Sequence, residues 1–300
     1  MGKIITFYMR HSKKIGIANI IIILGLNFIF DIVIPLHWLL GLTGLIFVVM
    51  NIDFFRMYFG LLFVNVKYKF SPPSKKTYTC KADYILPFTG KWTVTSGGVE
   101  KELSHSWEAI NQRYAYDFIM VDFEHYRDTG KWYPGDETDL HSYTCYGKDI
   151  LAAADGVVVK VSDKHPDSRV TGYEVFCDAW DIRGNHIVIK HADREYSVSC
   201  HLAPNSISVK VGDRVKQGDV IAKCGNSGNT SEPHLHFQLQ TGKSFFFSAG
   251  LPIAFSNVNA EQKKHFRLMD SRSCENNLQR LENNKAYIGR GLEVENKILD

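Results

Sequence analysis

The chain has 300 residues, 45% of them apolar, and a formal net charge of +3. That length allows one or two domains with a real core. So small a charge, with no basic patch interleaved with aromatics, argues against a nucleic-acid partner. Six cysteines (Cys80, Cys145, Cys177, Cys200, Cys224 and Cys274) are scattered without a CxxC pair, which argues against a structural zinc knuckle and leaves the disulfide state open.

Residues 1–14 are a basic N-terminus carrying Lys3, Arg10, Lys13 and Lys14. Ile15 to Ile34 is a run of twenty residues whose one charge is Asp31, and after Pro35 a second apolar run, Leu36 to Ile52, adds only His37. About twenty apolar residues in a helix cross a bilayer core, so residues 15–52 are predicted to be two transmembrane helices joined by a tight turn near Asp31–His37. Membrane lipid is then a partner. Two buried helices of a soluble core fit so continuous a run less well. A cleaved signal peptide would need a shorter run and a small-residue cleavage site. Arg56, Lys67, Lys69, Lys75 and Lys76 follow the second helix. The positive-inside rule then puts both ends in the cytoplasm, whereas a single crossing, with the second helix lying in the interface, puts the main domain outside. Residues 53–83 read as an aromatic and basic juxtamembrane linker, broken at Pro72-Pro73, whose Lys and Arg anchor at the lipid surface.

From Tyr84 the chain turns into short β-rich runs separated by Gly, Asp and Asn turns. The predicted strands are Trp92–Thr95, Tyr114–Val121, Gly156–Val161, His186–Lys190, Tyr196–His201, Ser206–Lys210, Val220–Cys224 and His234–Gln240. The polar stretches Glu124–Asp149 and Asp163–Arg183 read as insertions of the kind that wall a cleft. The main domain is bounded at 84–256. Residues 257–300 are a polar extension, with a helix predicted within Ala260–Asn284 and a closing strand near 286–289.

Chemistry concentrates at Pro233-His234-Leu235-His236-Phe237. Side chains alternate along a strand, so His234 and His236 share a face. His201 ends another strand-like run, and Asp117 lies on an upstream one. Imidazole and carboxylate are the donor set of hydrolytic zinc. A single His on an apolar strand is more often a buried, hydrogen-bonded side chain, and a single Asp a cap or surface residue. His186 and His191 are read as stabilising their strand or facing solvent. Cys200 has no nucleophile signature, and on a strand it faces away from its neighbour's site.

The segments Gly184–His191, Tyr196–Leu202, Val211–Ala222, Gly225–Gly228 and Pro233–Phe237, in this order and spacing, resemble the lysostaphin-like (LytM-type) zinc endopeptidases that cut peptidoglycan cross-bridges. The resemblance covers about residues 110–241. It implies a mainly β domain, a duplicated or hybrid β fold with its cleft across an open antiparallel sheet, behind the N-terminal transmembrane hairpin. It further implies zinc as cofactor, peptidoglycan peptides as substrate, an extracytoplasmic domain, Asp117 and His236 as metal ligands, and His201 and His234 as catalytic imidazoles. A regulatory protein partner is left open.

One position departs from the pattern. Four residues before Asp117, where the resemblance implies the first His ligand, stands Arg113, a permanent cation with no lone pair for a metal. Three readings follow: His105 folds back to supply the missing ligand, Arg113 turns away through a local bulge, or the domain has lost zinc and only binds wall or a partner enzyme. His125 and His141 are weaker donor candidates. The segment Val209–Val220 also resembles the half-barrel of biotinyl and lipoyl carriers, but no Met-Lys-Met or Asp-Lys-Ala turn appears at the expected place, and the paired histidines have no role there.

Overall fold

The computed structural model describes residues 52–170, 181–263, 266–272 and 274–297. The predicted basic N-terminus and, but for Ile52, the predicted transmembrane pair lie outside them. Among the described residues no helix is long and apolar enough to cross a membrane. A helix, α1 (Ile52–Lys67), comes first, followed by β1 (Trp92–Ser96), β2 (Tyr116–Ile119), helix α2 (Phe123–Thr129), β3 (Asp149–Leu151), β4 (Gly156–Ser162), β5 (Asn185–Ala192), β6 (Glu195–Leu202), β7 (Arg214–Val215), β8 (Val220–Lys223) and β9 (Leu235–Gln240). The chain closes through β10 (Gly250–Leu251), β11 (Phe255–Ser256), β12 (Val258–Gln262), helix α3 (Phe266–Met269), β13 (Leu278–Arg280), β14 (Lys285–Ile288) and β15 (Leu292–Asn296).

The main sheet has ten strands in the order β12-β15-β1-β2-β9-β6-β5-β4-β7, with β10 also paired to β9. Its neighbouring strands are antiparallel, as the mainly β, open-sheet expectation requires. β9 shows why the sequence builds it. Leu235, Phe237 and Leu239 alternate with His236, Gln238 and Gln240, and all six are buried. The apolar set faces the large core with Tyr116, Phe118 and Phe255. The polar set faces the other way, beneath Phe245. A strand buried on both faces but polar on one must satisfy every polar side chain internally.

Both flanks differ from the sequence reading. The predicted linker begins with α1, which packs on the domain: Val64 is fully buried in a cluster with Ile110 and Ala249, and a Cβ added at Gly60 would meet the Phe246 carbonyl oxygen at 2.0 Å. An apolar helix face of this kind is buried wherever a complementary surface exists. After it, Lys69 and Phe70 take left-handed backbone conformations and Pro72-Pro73 prevents continuation. At the other end, β12 and β15 belong to the main sheet, so the C-terminal segment is part of the core layer. Among the described residues its helical content is confined to α3, because the period-2 pairing of β12 with β15 and of β13 with β14 uses the backbone groups a longer helix would need. The predicted strand Ser206–Lys210 makes no ladder.

Glu195, fully buried at the start of β6, pins the chain leading into the domain. Its carboxylate accepts from the Tyr78 hydroxyl, the Tyr84 hydroxyl at 2.9 Å, and the backbone N–H groups of Lys81 and Ala82.

Candidate metal centre

β2 and β9 pair in a register that sets Asp117 directly opposite His236. Cross-strand partners place their side chains on one face, and here His236 Nδ1 lies 3.0 Å from Asp117 Oδ1. His105, on a bend before β2, brings its Nε2 to 3.2 Å from Asp117 Oδ2, and its ring meets that of His236 edge-on with centroids 5.1 Å apart. One donor atom from each of His105, Asp117 and His236 lies within 4.8 Å of the other two.

Arg113 stands apart from this cluster. Residues 111–114 form a turn ahead of β2, so the strand alternation expected to aim Arg113 at Asp117 has not yet begun. Its guanidinium lies 4.7 Å over the Trp107 ring, and its Nε donates to the Trp107 carbonyl at 2.8 Å. The fold-back of His105 and the turning-away of Arg113 therefore occur together. His125 sits on exposed α2 and His141 against Tyr146, and neither joins the cluster.

Hydrogen bonds assign the tautomer of His236. Carbonyl oxygens only accept, so Gly242 O fixes the Gln240 amide nitrogen at 2.6 Å, and Asn111 O fixes that of Gln238 at 3.1 Å. Gln238 then donates to Gln240 Oε1 at 2.7 Å, and its own oxygen accepts from His236 Nε2–H at 3.0 Å. With Nε2–H directed at Gln238, His236 Nδ1 is the nitrogen that faces the Asp117 carboxylate, and it is the one placed to serve as a metal donor. Gln238 escaped the sequence reading. Its signal is the period-2 series His236, Gln238, Gln240, too polar for a strand that is buried. Substituting Gln238→Leu is expected to weaken metal binding at this cluster roughly 10–100-fold, measured by chelator competition.

His234 and His201 complete the cluster with the opposite tautomer. His234 Nδ1 donates to Glu232 O and His201 Nδ1 to Ser227 O, each at 2.8 Å, which leaves both Nε2 atoms as bases. Their rings lie 4.7 Å apart, and His201 is 5.9 Å from His236. Strand alternation alone would send His201 to the far side of the sheet, because its neighbour Cys200 is the register partner of His236. The register between β5 and β6 slips at this point, and His201 takes a left-handed backbone with φ 60°. That bulge turns its ring onto the polar face. The expectation that Cys200 faces away from its neighbour's site fails for the same reason. Cys200 packs with Val188, Val198, Phe245 and Phe246, and burial raises its thiol pKa far above the usual range, which leaves it unreactive.

Electrostatics divide the cluster. Burial raises the Asp117 carboxyl, but His105, His236 and His234 around it outweigh that and hold it well below the usual carboxylate range. Burial lowers His105, yet the adjoining Asp117 carries it above the ordinary imidazole value. Burial and the neighbouring imidazoles hold His201 well below that value, and burial lowers His234. His186 is buried and held down to about 3 by burial and Arg183, a neutral structural residue.

A cavity of about 480 Å³ opens beside the cluster, lined by Trp132, Tyr133 and Tyr143 of the first insertion, by Glu232, and by Asp270 and Arg272 of the C-terminal segment. Part of the second insertion, residues 171–180, lies outside the described residues. Burial pushes the Glu232 carboxyl up to about 7, although the Trp132 indole N–H donates to it at 3.0 Å. Five cysteines (Cys80, Cys145, Cys200, Cys224 and Cys274) are free thiols.

The chain is similar to known proteins over part of its length. Residues 138–246 match Peptidase family M23, a span that holds His201, His234 and His236 but neither His105 nor Asp117. A peptidoglycan DD-endopeptidase of Vibrio cholerae, ShyB, is 33% identical over 140 residues, 46% of this chain and 28% of the relative. The glycyl-glycine endopeptidase ALE-1 of Staphylococcus capitis is 43% identical over 51 residues, 17% of this chain and 14% of the relative. The chain thus spans less than a third of either relative. A crystal structure of a zinc-containing peptidase from Vibrio cholerae aligns over 57% of this chain and 39% of its own, at 23% identity and a TM-score of 0.34.

Proposed function

The chain carries a domain of peptidase family M23, and on that premise we propose that it is a zinc-dependent endopeptidase hydrolysing peptide bonds in peptidoglycan, held at a membrane by residues 15–52 with its catalytic domain on the extracytoplasmic side. The observation that carries this reading is the convergence of His105, Asp117 and His236, with His236 Nδ1 facing the carboxylate. Two imidazole nitrogens and a carboxylate oxygen suit zinc, and three protein ligands leave a fourth position open. The names of the relatives support peptidoglycan as substrate.

In this reading His105 Nε2, Asp117 and His236 Nδ1 hold the metal. Zinc bound there supplies a Lewis acid for the scissile carbonyl and acidifies water. His234 and His201, neutral by virtue of burial, take up and return a proton at Nε2. Their Nδ1–H bonds to Glu232 O and Ser227 O keep those lone pairs aimed inward. The cavity walled by Trp132, Tyr133 and Tyr143 receives the peptide, and its link to the proton-handling residues is short, since Glu232 O holds the His234 ring.

The test is digestion of purified, cross-linked peptidoglycan by the full chain in detergent, with products identified by mass spectrometry. Cleaved cross-links are expected, lost on chelation and restored by one equivalent of zinc. Intact cross-links from zinc-loaded protein would reject the reading.

A further inference from the structure

We propose that α1 and Phe247 form a bilayer-docking face, which lays the whole domain against a lipid surface carrying anionic headgroups. α1 is apolar on two faces. Gly60 and Val64 are turned into the domain. Phe59, Leu62, Phe63 and Val66, at i, i+3, i+4 and i+7 spacing, are instead 64%, 60%, 50% and 60% exposed. Phe70 extends the stripe, and Phe247, from the loop after β9, meets the Phe63 ring edge-on at 5.8 Å. A contiguous outward stripe of large apolar side chains marks a contact surface.

The surroundings select the occupant. A shallow hollow beside Phe246 and Phe247 is lined by Arg56, Lys160 and Lys243, and Lys67 lies 5.8 Å over the Phe63 ring at the far end. Cations flanking an apolar helix face fit an anionic interface, where the rings sit among the acyl boundary and the ammonium groups reach headgroups. A second copy docked through the same patch would set these cations against their own images, which opposes a symmetric dimer. The apolar run Leu36–Ile52 leads directly into α1, so a chain leaving a bilayer enters this helix at the surface. α1 is also rigidly joined to the domain. Asn111 donates to Met57 Sδ at 3.4 Å while its carbonyl accepts from Gln238, so docking would orient the candidate metal centre relative to the membrane.

The inference rests on the reading that residues 15–52 are membrane-embedded, and the experiment separates the two. The full chain is placed in vesicles of phosphatidylcholine and phosphatidylglycerol, with p-benzoylphenylalanine at position 59, 63 or 247, or at exposed Val220 as control. Lipid adducts are expected at 59, 63 and 247 and not at 220. They should fall about fivefold with Lys243→Ala, the loss of one lysine's surface attraction, and by more with phosphatidylcholine alone, which removes the attraction of every flanking cation. Adducts to residues 15–51 or to a second copy, or no lipid adducts at all, would overturn the docking face. Alkaline carbonate extraction of the same vesicles reports anchoring by residues 15–52 independently.

Discussion

Replacing His105 with alanine is expected to remove zinc from the protein and with it the cleavage of cross-linked peptidoglycan. His105 contributes one of three donor atoms, so its loss should exceed the roughly 10–100-fold that an outer hydrogen-bond partner costs a metal site. His236→Ala should behave alike. Arg113→Ala should keep zinc and activity, because the Arg113 guanidinium lies on Trp107 and its removal forfeits a stacking contact of about 0.5–1 kcal/mol. The discriminating variant is His105→Ala with Arg113→His. It puts an imidazole back at the position the family pattern suggests, yet in a turn aimed at Trp107, so it is expected to stay metal-free. Metal analysis of the four proteins decides the matter: zinc bound at unchanged affinity by His105→Ala would exclude His105 as a ligand.

Loss of the His234 imidazole should separate chemistry from metal binding. His234→Ala is expected to hold one zinc per chain while turnover drops by about 10²–10⁴, the range for a positioned proton carrier. His201→Ala should fall similarly, and the double variant by much less than the product, because residues serving one step are not additive. The pH profile follows from burial. Both imidazoles sit below the ordinary value of 6.5, so both remain neutral bases as pH falls to that value. Activity is therefore expected to hold from pH 8 down to about 6.5 and to decline only below it. A decline beginning above pH 7, or zinc lost together with activity in His234→Ala, would contradict the assignment.

Many of the strands were legible in the sequence: β1, β4, β5, β6, β8 and β9 fall within two residues of the predicted runs at each end. The pair His234 and His236 was legible because two residues is the strand repeat. His105 was readable only as an alternative, because a bend twelve residues upstream has no period that relates it to Asp117. Gln238 was invisible for a different reason. A glutamine on a strand reads as solvent-facing until the second buried face of β9 is known. The C-terminal strands read as an appendage because β12 and β15 are short and carry the charges Glu261, Glu293 and Glu295, and the place of β15 beside β1 depends on pairing across about two hundred residues.

By itself, the order of residues determined a β-rich domain, the face shared by two histidines, and the chemical type of the donor set, all local consequences of a two-residue repeat. Tertiary structure decided which imidazole stands beside Asp117 and which arginine does not. It decided that a left-handed backbone at His201 turns a ring destined for one side of the sheet onto the other, and that α1 belongs to the domain. Each of these depends on where distant segments meet, and no local period encodes such a meeting.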